Sequence, residues 1–204
     1  MARDYDFNVF INCPFDAEYM PMFDASLFAV YKCGFRPRCA LEEDNAGDIR
    51  IEKINKIIQE CRFGVHDISR TELDVTHSLP RFNMPLELGL FLGAKRFGSK
   101  LQKYKVAVVC DKEEFRYQKY ISDIAGQDVK AHDGNPQSFI RLIRNTLNTA
   151  KINGPIPGAD AIIKSFSNFQ LVLPELRAEL KLSENDITYA DKTQMIEQWL
   201  KMAA

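Results

Sequence analysis

An excess of charge of either sign is missing from this chain. Its 204 residues carry 27 lysines and arginines against 28 aspartates and glutamates. That balance gives no electrostatic reason to expect nucleic acid or an anionic membrane as a main partner, although a local basic patch stays open. Long apolar runs are lacking as well. No segment approaches the roughly 20 apolar residues that a membrane-spanning helix needs, and MARDYDFNVFIN places two aspartates ahead of the first short apolar run. Neither membrane insertion nor export is therefore expected. The five cysteines (Cys13, Cys33, Cys39, Cys61 and Cys110) are odd in number, scattered and mostly set in apolar runs. They suit buried thiols in a reducing compartment better than a disulfide framework, so the cytoplasm is the expected location. No tight cluster of His, Cys and Asp has ligand spacing, and the acidic stretch 42–48 lacks the regular spacing of a calcium loop, so no metal is expected. Internal repeats and low-complexity segments are absent.

What is present is an alternation of strand and helix signals in a chain apolar enough for one sizeable core. The apolar run 7–13, ended by Pro14, reads as a strand. Asp16 can cap the helix that follows, in which Tyr19, Met22, Phe23, Ser26, Leu27 and Val30 recur at helical spacing over residues 17–33 until Gly34 stops it. Residues 35–41 read as a second strand. Ile51, Ile54, Ile57, Ile58 and Cys61 then mark one face of a second helix. A third strand is expected at 63–68, followed by an irregular loop, 69–82, of a length that often carries function. A helix over 83–97, a strand over 105–110, an aromatic-rich helix over 113–124, a short edge strand at 127–131 and a helix over 136–150 complete the pattern.

Strand then helix, repeated about five times, predicts a flavodoxin-like three-layer α/β/α domain over residues 1–152. Its mostly parallel five-stranded sheet takes the order 2-1-3-4-5, because right-handed crossovers place helices on both faces. The Pro- and Gly-rich stretch 153–158 reads as a linker. Beyond it, 159–204 reads as a C-terminal helical extension with helices over 160–182 and 189–202. Ile196, Trp199 and Leu200 give the last helix an apolar stripe for its own domain or for a second subunit.

In such a sheet, ligands bind outside the carboxyl ends of the strands where the strand order reverses, between strands one and three. Asn12, Cys13 and Phe15 emerge there after strand one, and Asp67, Ser69 and Arg70 after strand three. Glu87 faces the same crevice from the following helix. It is the only charged residue between Phe82 and Ala94. With Met84 as N-cap, Pro85 would take the first helical position and Glu87 the third, where a carboxylate caps a backbone N–H and the helix dipole keeps it ionised. His66, beside Asp67 on a strand, should point to the opposite face, so the two should not pair. Lys95 and Arg96 suit the end of a helix, and Cys13 lacks the Cys-x5-Arg loop that would support a nucleophile.

The stretch Asn83-Met-Pro-Leu-Glu87-Leu-Gly89 resembles the Glu-Leu-Gly segment of nucleoside 2-deoxyribosyltransferases and of the related TIR-like nucleotide-binding proteins of bacteria. Val9 to Phe15 and Val65-His66-Asp67 extend the likeness. It implies an enzyme that breaks the base–ribose bond of NAD or a related nucleotide, by hydrolysis or transfer, with Glu87 as the catalytic carboxylate. Asn12, Cys13, Phe15, Asp67, Ser69, Arg70, Phe82 and Asn83 would then line the substrate site. Asn12 and Asp67 would hold ribose hydroxyls or the departing base, and Phe15 or Phe82 would stack on a ring. The nucleotide is substrate, so no cofactor is implied. The resemblance also implies a role in antiviral defence or signalling, with a homo-oligomer or a defence partner protein. The alternative is a non-catalytic nucleotide-sensing or scaffold module. The spacing of Asp67 and Asp74, without a following Gly-Thr pair, departs from the transferase pattern.

Overall fold

The computed structural model describes residues 2–43, 45–73, 78–150, 152, 154–183 and 186–203. Asp74 and the first residue of the expected 153–158 linker lie outside that set. Five strands, β1 (Asn8–Asn12), β2 (Arg36–Arg38), β3 (Phe63–Asp67), β4 (Val106–Asp111) and β5 (Lys130–Ala131), form one sheet in the order β2-β1-β3-β4-β5. All four pairings are parallel, as the strand–helix alternation predicts. In β1 and β3 every residue is buried, which is how a central parallel strand covered on both faces reads.

Helices α3 (Arg50–Glu60) and α4 (Asn83–Phe97) cover one face, where Ile54, Ile57, Ile58 and Phe91 pack on Phe10. The other face carries α2 (Met20–Lys32) and α5 (Pro136–Asn148), whose Phe23, Phe139 and Ile143 meet Phe63 and Val65. A short helix not expected from the sequence, α1 (Ala2–Phe7), precedes β1.

Helix α2 has no polar stripe: residues 25 to 30 are all buried. A helix that is apolar all round must be covered all round, and the C-terminal helices α6 (Ala159–Glu179) and α7 (Tyr189–Met202) supply the second cover. Phe28 of α2 stacks on Phe169 and meets Phe166 and Trp199, with ring centroids 5.3 to 5.5 Å apart. The Trp199 stripe thus closes the chain's own core, and Phe28→Ala would cost about 3–5 kcal/mol. All five cysteines are buried and free.

The segment 113–124 corrects an expectation. It forms two 3-10 turns, Arg116–Lys119 and Ser122–Ile124, in place of one aromatic helix. Phe115 adopts a left-handed φ of 60°, which stops an α-helix before it starts. Arg116 and Tyr120 are drawn inward by the buried carboxylate of Asp111, so tertiary hydrogen bonds override the aromatic periodicity.

Candidate active site

Strands β1 and β3 are neighbours whose following helices, α2 and α4, pack on opposite faces, so the switch point of the sheet, where ligands bind in folds of this kind, lies at their carboxyl ends. Asn12 closes β1 there and ties it to α4. Its Nδ2 donates to the Met84 carbonyl at 2.9 Å and lies 3.0 Å from His66 Nδ1, while its Oδ1 is buried with no hydrogen-bond partner among the described residues. The His66 imidazole is held neutral: burial, helped by the Lys105 ammonium, pushes its pKa down to about 3. With Nδ1 accepting from Asn12, the proton belongs on Nε2. His66 meets Phe10 and Phe91 on the α3–α4 face, while Asp67 turns to the α2–α5 face, as strand alternation requires.

Asp67 is completely buried, and three donors converge on it. The Tyr19 hydroxyl and His132 Nε2, at 3.0 Å, reach Oδ2, and the Ser69 N–H reaches Oδ1 at 2.8 Å. Burial alone would raise this carboxyl, but the hydrogen bonds from His132, Tyr19 and Ser69 outweigh it and hold the group below its ordinary value. His132 Nδ1 accepts the Gly134 N–H at 2.9 Å, which turns the Nε2–H toward Asp67. A second buried carboxylate, Asp111 at the end of β4, takes Arg116 Nε at 2.9 Å and the Tyr120 hydroxyl at 2.9 Å. Arg116 goes on to Thr71 Oγ1 at 2.7 Å and to the Ser69 carbonyl, which fixes the start of the loop after β3. Asp67 and Ser69 are therefore held in place at the carboxyl end of β3.

Glu87 sits differently. Helix α4 starts at Asn83 with Phe82 in the N-cap position and no capping side chain. Glu87 is thus the fifth helical residue, not the third, and the capping role is overturned. The Leu86 N–H already bonds the Phe82 carbonyl at 3.0 Å, and Pro85 fits inside the first turn because N–H groups there have no intrahelical partner. The Glu87 side chain is 6% exposed and accepts no hydrogen bond among the described residues. Burial pushes its pKa up to about 7 against the opposing field of Arg50, so desolvation outweighs the helix dipole expected to keep it ionised.

Other expected site residues divide between wall and rim. Cys13 is buried, and burial together with Asp67, Cys39 and Glu87 keeps it a thiol. Phe15 packs edge-on against Phe23, and Arg70 pairs with Asp16 and Glu18 at 2.9 and 2.8 Å. Phe82, 64% exposed, and the exposed Asn83 stand at the rim. Tyr19, Asp111, Arg116, Tyr120 and His132 escaped the sequence reading. Position held the signal for two of them: Asp111 ends a strand at the ligand-binding end, and His132 directly follows β5. An open cavity of about 1020 Å³ lies at the other end of the sheet, between Tyr5, Asn8, Arg36, Glu60 and Gln102, so cavity size does not mark this site.

The fold and this constellation define a doubly wound α/β domain with buried carboxylates at its switch point. Comparison with protein-family models, with curated proteins and with solved structures gives no match.

Proposed function

We propose that the crevice between β1 and β3 binds a nucleotide and that Glu87 cleaves its N-glycosidic bond, with NAD or a related nucleotide as substrate. The observation that carries this reading is the Glu87 carboxyl itself: buried, unpartnered among the described residues, and poised near neutrality beside the carboxyl end of β1. A structural acid would be expected to have donors, as Asp67 has. An unpaired one near neutral pH suits catalysis.

The chemistry balances with one carboxylate when the leaving ring is a cationic pyridinium. The C–N bond breaks, its electron pair neutralises the ring nitrogen, and the base leaves without needing a proton. Ionised Glu87 stabilises the oxocarbenium-like ribosyl carbon, which water or another hydroxyl then captures with loss of a proton. The resemblance of residues 83–89 supports the same assignment, and a role in bacterial defence or signalling rests on that resemblance.

A second reading, a non-catalytic nucleotide-sensing or scaffold module, is favoured by the low exposure of Glu87, which leaves little of its carboxylate open to substrate. Incubation with NAD and chromatography of the released nicotinamide separates the two. The enzyme reading expects turnover that rises with pH through about 7 as Glu87 ionises, and a loss of about 100-fold or more in Glu87→Gln. Thermal stabilisation by intact NAD with no released base would establish the sensing module instead.

A further inference from the structure

The overall charge balance conceals a local imbalance. Between Glu87 and Asp111 the chain has no acidic residue, yet it carries Lys95, Arg96, Lys100, Lys103 and Lys105. Lys105 is buried and donates to the Ile58 and Cys61 carbonyls at the end of α3, so it belongs to the fold. The other four are exposed and enter no ion pair among the described residues. Lys103 donates only to the Arg96 carbonyl, and that bond folds the 3-10 turn Leu101–Tyr104 back on the end of α4.

Gly98 allows this fold-back. A Cβ there would lie 2.4 Å from the Ala94 carbonyl oxygen and 3.0 Å from Gln102 Cβ. The tight turn leaves two aromatic rings outside. Phe97 is 86% exposed, the highest value among the large apolar side chains of the described residues, and Tyr104 is 65% exposed. Lys95, Arg96 and Lys103 also line a recess of about 560 Å³ with Leu92, Ala107 and Gln127. Nearby acids do not neutralise them: Asp128, beside Gln127, pairs with Lys130, and Glu60 pairs with Arg38.

We infer that this face, at the amino end of the sheet, is a binding surface for single-stranded nucleic acid. Cations at a helix C-terminus are explained by the dipole, but the dipole does not explain two exposed aromatic rings that neighbour them in the chain, Phe97 after Arg96 and Tyr104 after Lys103. Phosphates would meet Lys95, Arg96, Lys100 and Lys103, and Phe97 and Tyr104 would offer flat faces to bases, the combination by which single strands are held without sequence preference. A bilayer is the other polyanion such residues could meet. A flat membrane needs a protruding surface, however, and three of these cations line a recess.

The test uses the full chain and a labelled mixed-sequence oligonucleotide of about 12 nucleotides, as RNA or DNA, with binding followed by fluorescence anisotropy across a salt series. The expected slope of log K against log salt is about −2 to −3, from about 0.7 per neutralised phosphate. Lys95→Gln, Arg96→Gln and Lys100→Gln together should flatten that slope and weaken binding at least tenfold. Phe97→Ala with Tyr104→Ala should weaken it about tenfold and leave the slope unchanged. Thermal melting shows whether each variant is folded, and none of these side chains is needed for a buried hydrogen bond. Absence of binding at low salt, or binding indifferent to both variants, overturns the proposal. Recruitment to phosphatidylserine vesicles without oligonucleotide binding overturns it in favour of a membrane.

Discussion

Charged side chains are treated in opposite ways at the two ends of the sheet. At the carboxyl end Asp67 and Asp111 are wholly buried and surrounded by donors: Asp67 takes the distant Tyr19 and His132 along with Ser69, and Asp111 takes Arg116 and Tyr120 from the turns that follow its own strand. At the amino end Lys95, Arg96 and Lys100 stand in water with no ion pair among the described residues. Glu87 belongs to neither pattern: it is buried like the first group but accepts no hydrogen bond among the described residues, with only the field of Arg50 opposing the effect of burial. The difference teaches where free energy is bound up in charge. Satisfied burial builds the fold, unsatisfied exposure costs little, and unsatisfied burial is the state that the surrounding fold has to hold in place.

The largest effect should come from Asp67. Asp67→Asn removes a charged acceptor from Tyr19, His132 and Ser69 and sets an amide donor against N–H or O–H groups, at a cost of about 3 kcal/mol in a denaturant titration. Asp16→Asn, which breaks a pair roughly one third exposed on both sides, should cost under about 1 kcal/mol. Equal losses at the two positions would erase the distinction between committed and rim carboxylates. Because the folded value of Asp67 lies below its ordinary 3.8, its contribution is present above that pH and is lost as pH falls through the depressed value.

Glu87 should have the opposite sign and a smaller size. Its pKa is raised from 4.5 to about 7, so the folded state holds a proton that the unfolded state has released. Stability from that proton is full below 4.5 and disappears as pH rises through about 7. Glu87→Gln should therefore stabilise the protein by on the order of 2 kcal/mol at about pH 8 and by almost nothing at about pH 4. Melting curves at the two pH values read this directly. A variant that melts lower than the parent at the higher pH would show that the ionised carboxylate has a partner, and the unsatisfied-burial argument would fall.

Much of this was legible from the chain, for reasons that also explain what was not. The strand order and the limits of α4 follow from local periodicity, and with the order known, Asn12, Asp67 and Glu87 had to come out at one end of the sheet. The misread features depend on partners distant in sequence. His132 and Asp67 are 65 residues apart, Arg116 and Thr71 are 45 apart, and no spacing rule connects them. Arg116 reaching Thr71 and Ser69, and Tyr120 reaching the Ile68 carbonyl, likewise accompany the 3-10 turns that stand in place of the expected helix over 113–124. Pro85 misled because proline is tolerated at several positions of a first turn, which moved Glu87 from a capping place to the second turn. Lys95 and Arg96 were read correctly as helix-end cations, but the exposure of Phe97 beside them is a property of the Gly98 turn and had no sequence signature.

The smallest effect sharpens the contrast from the amino end. The side chains of Lys95, Arg96 and Lys100 make no hydrogen bond or ion pair among the described residues, so replacing all three with Gln should change unfolding free energy by no more than about 0.5 kcal/mol. Relief of like-charge repulsion within one short segment and loss of the favourable helix-end charges Lys95 and Arg96 oppose each other, so the net change should be small. It should shrink further as salt is added, since exposed charges are screened over about 10 Å at 0.1 M. A loss of 2 kcal/mol or more, in contrast, would mean that these cations hold the α4 terminus together. The amino end would then be committed structure like the carboxyl end.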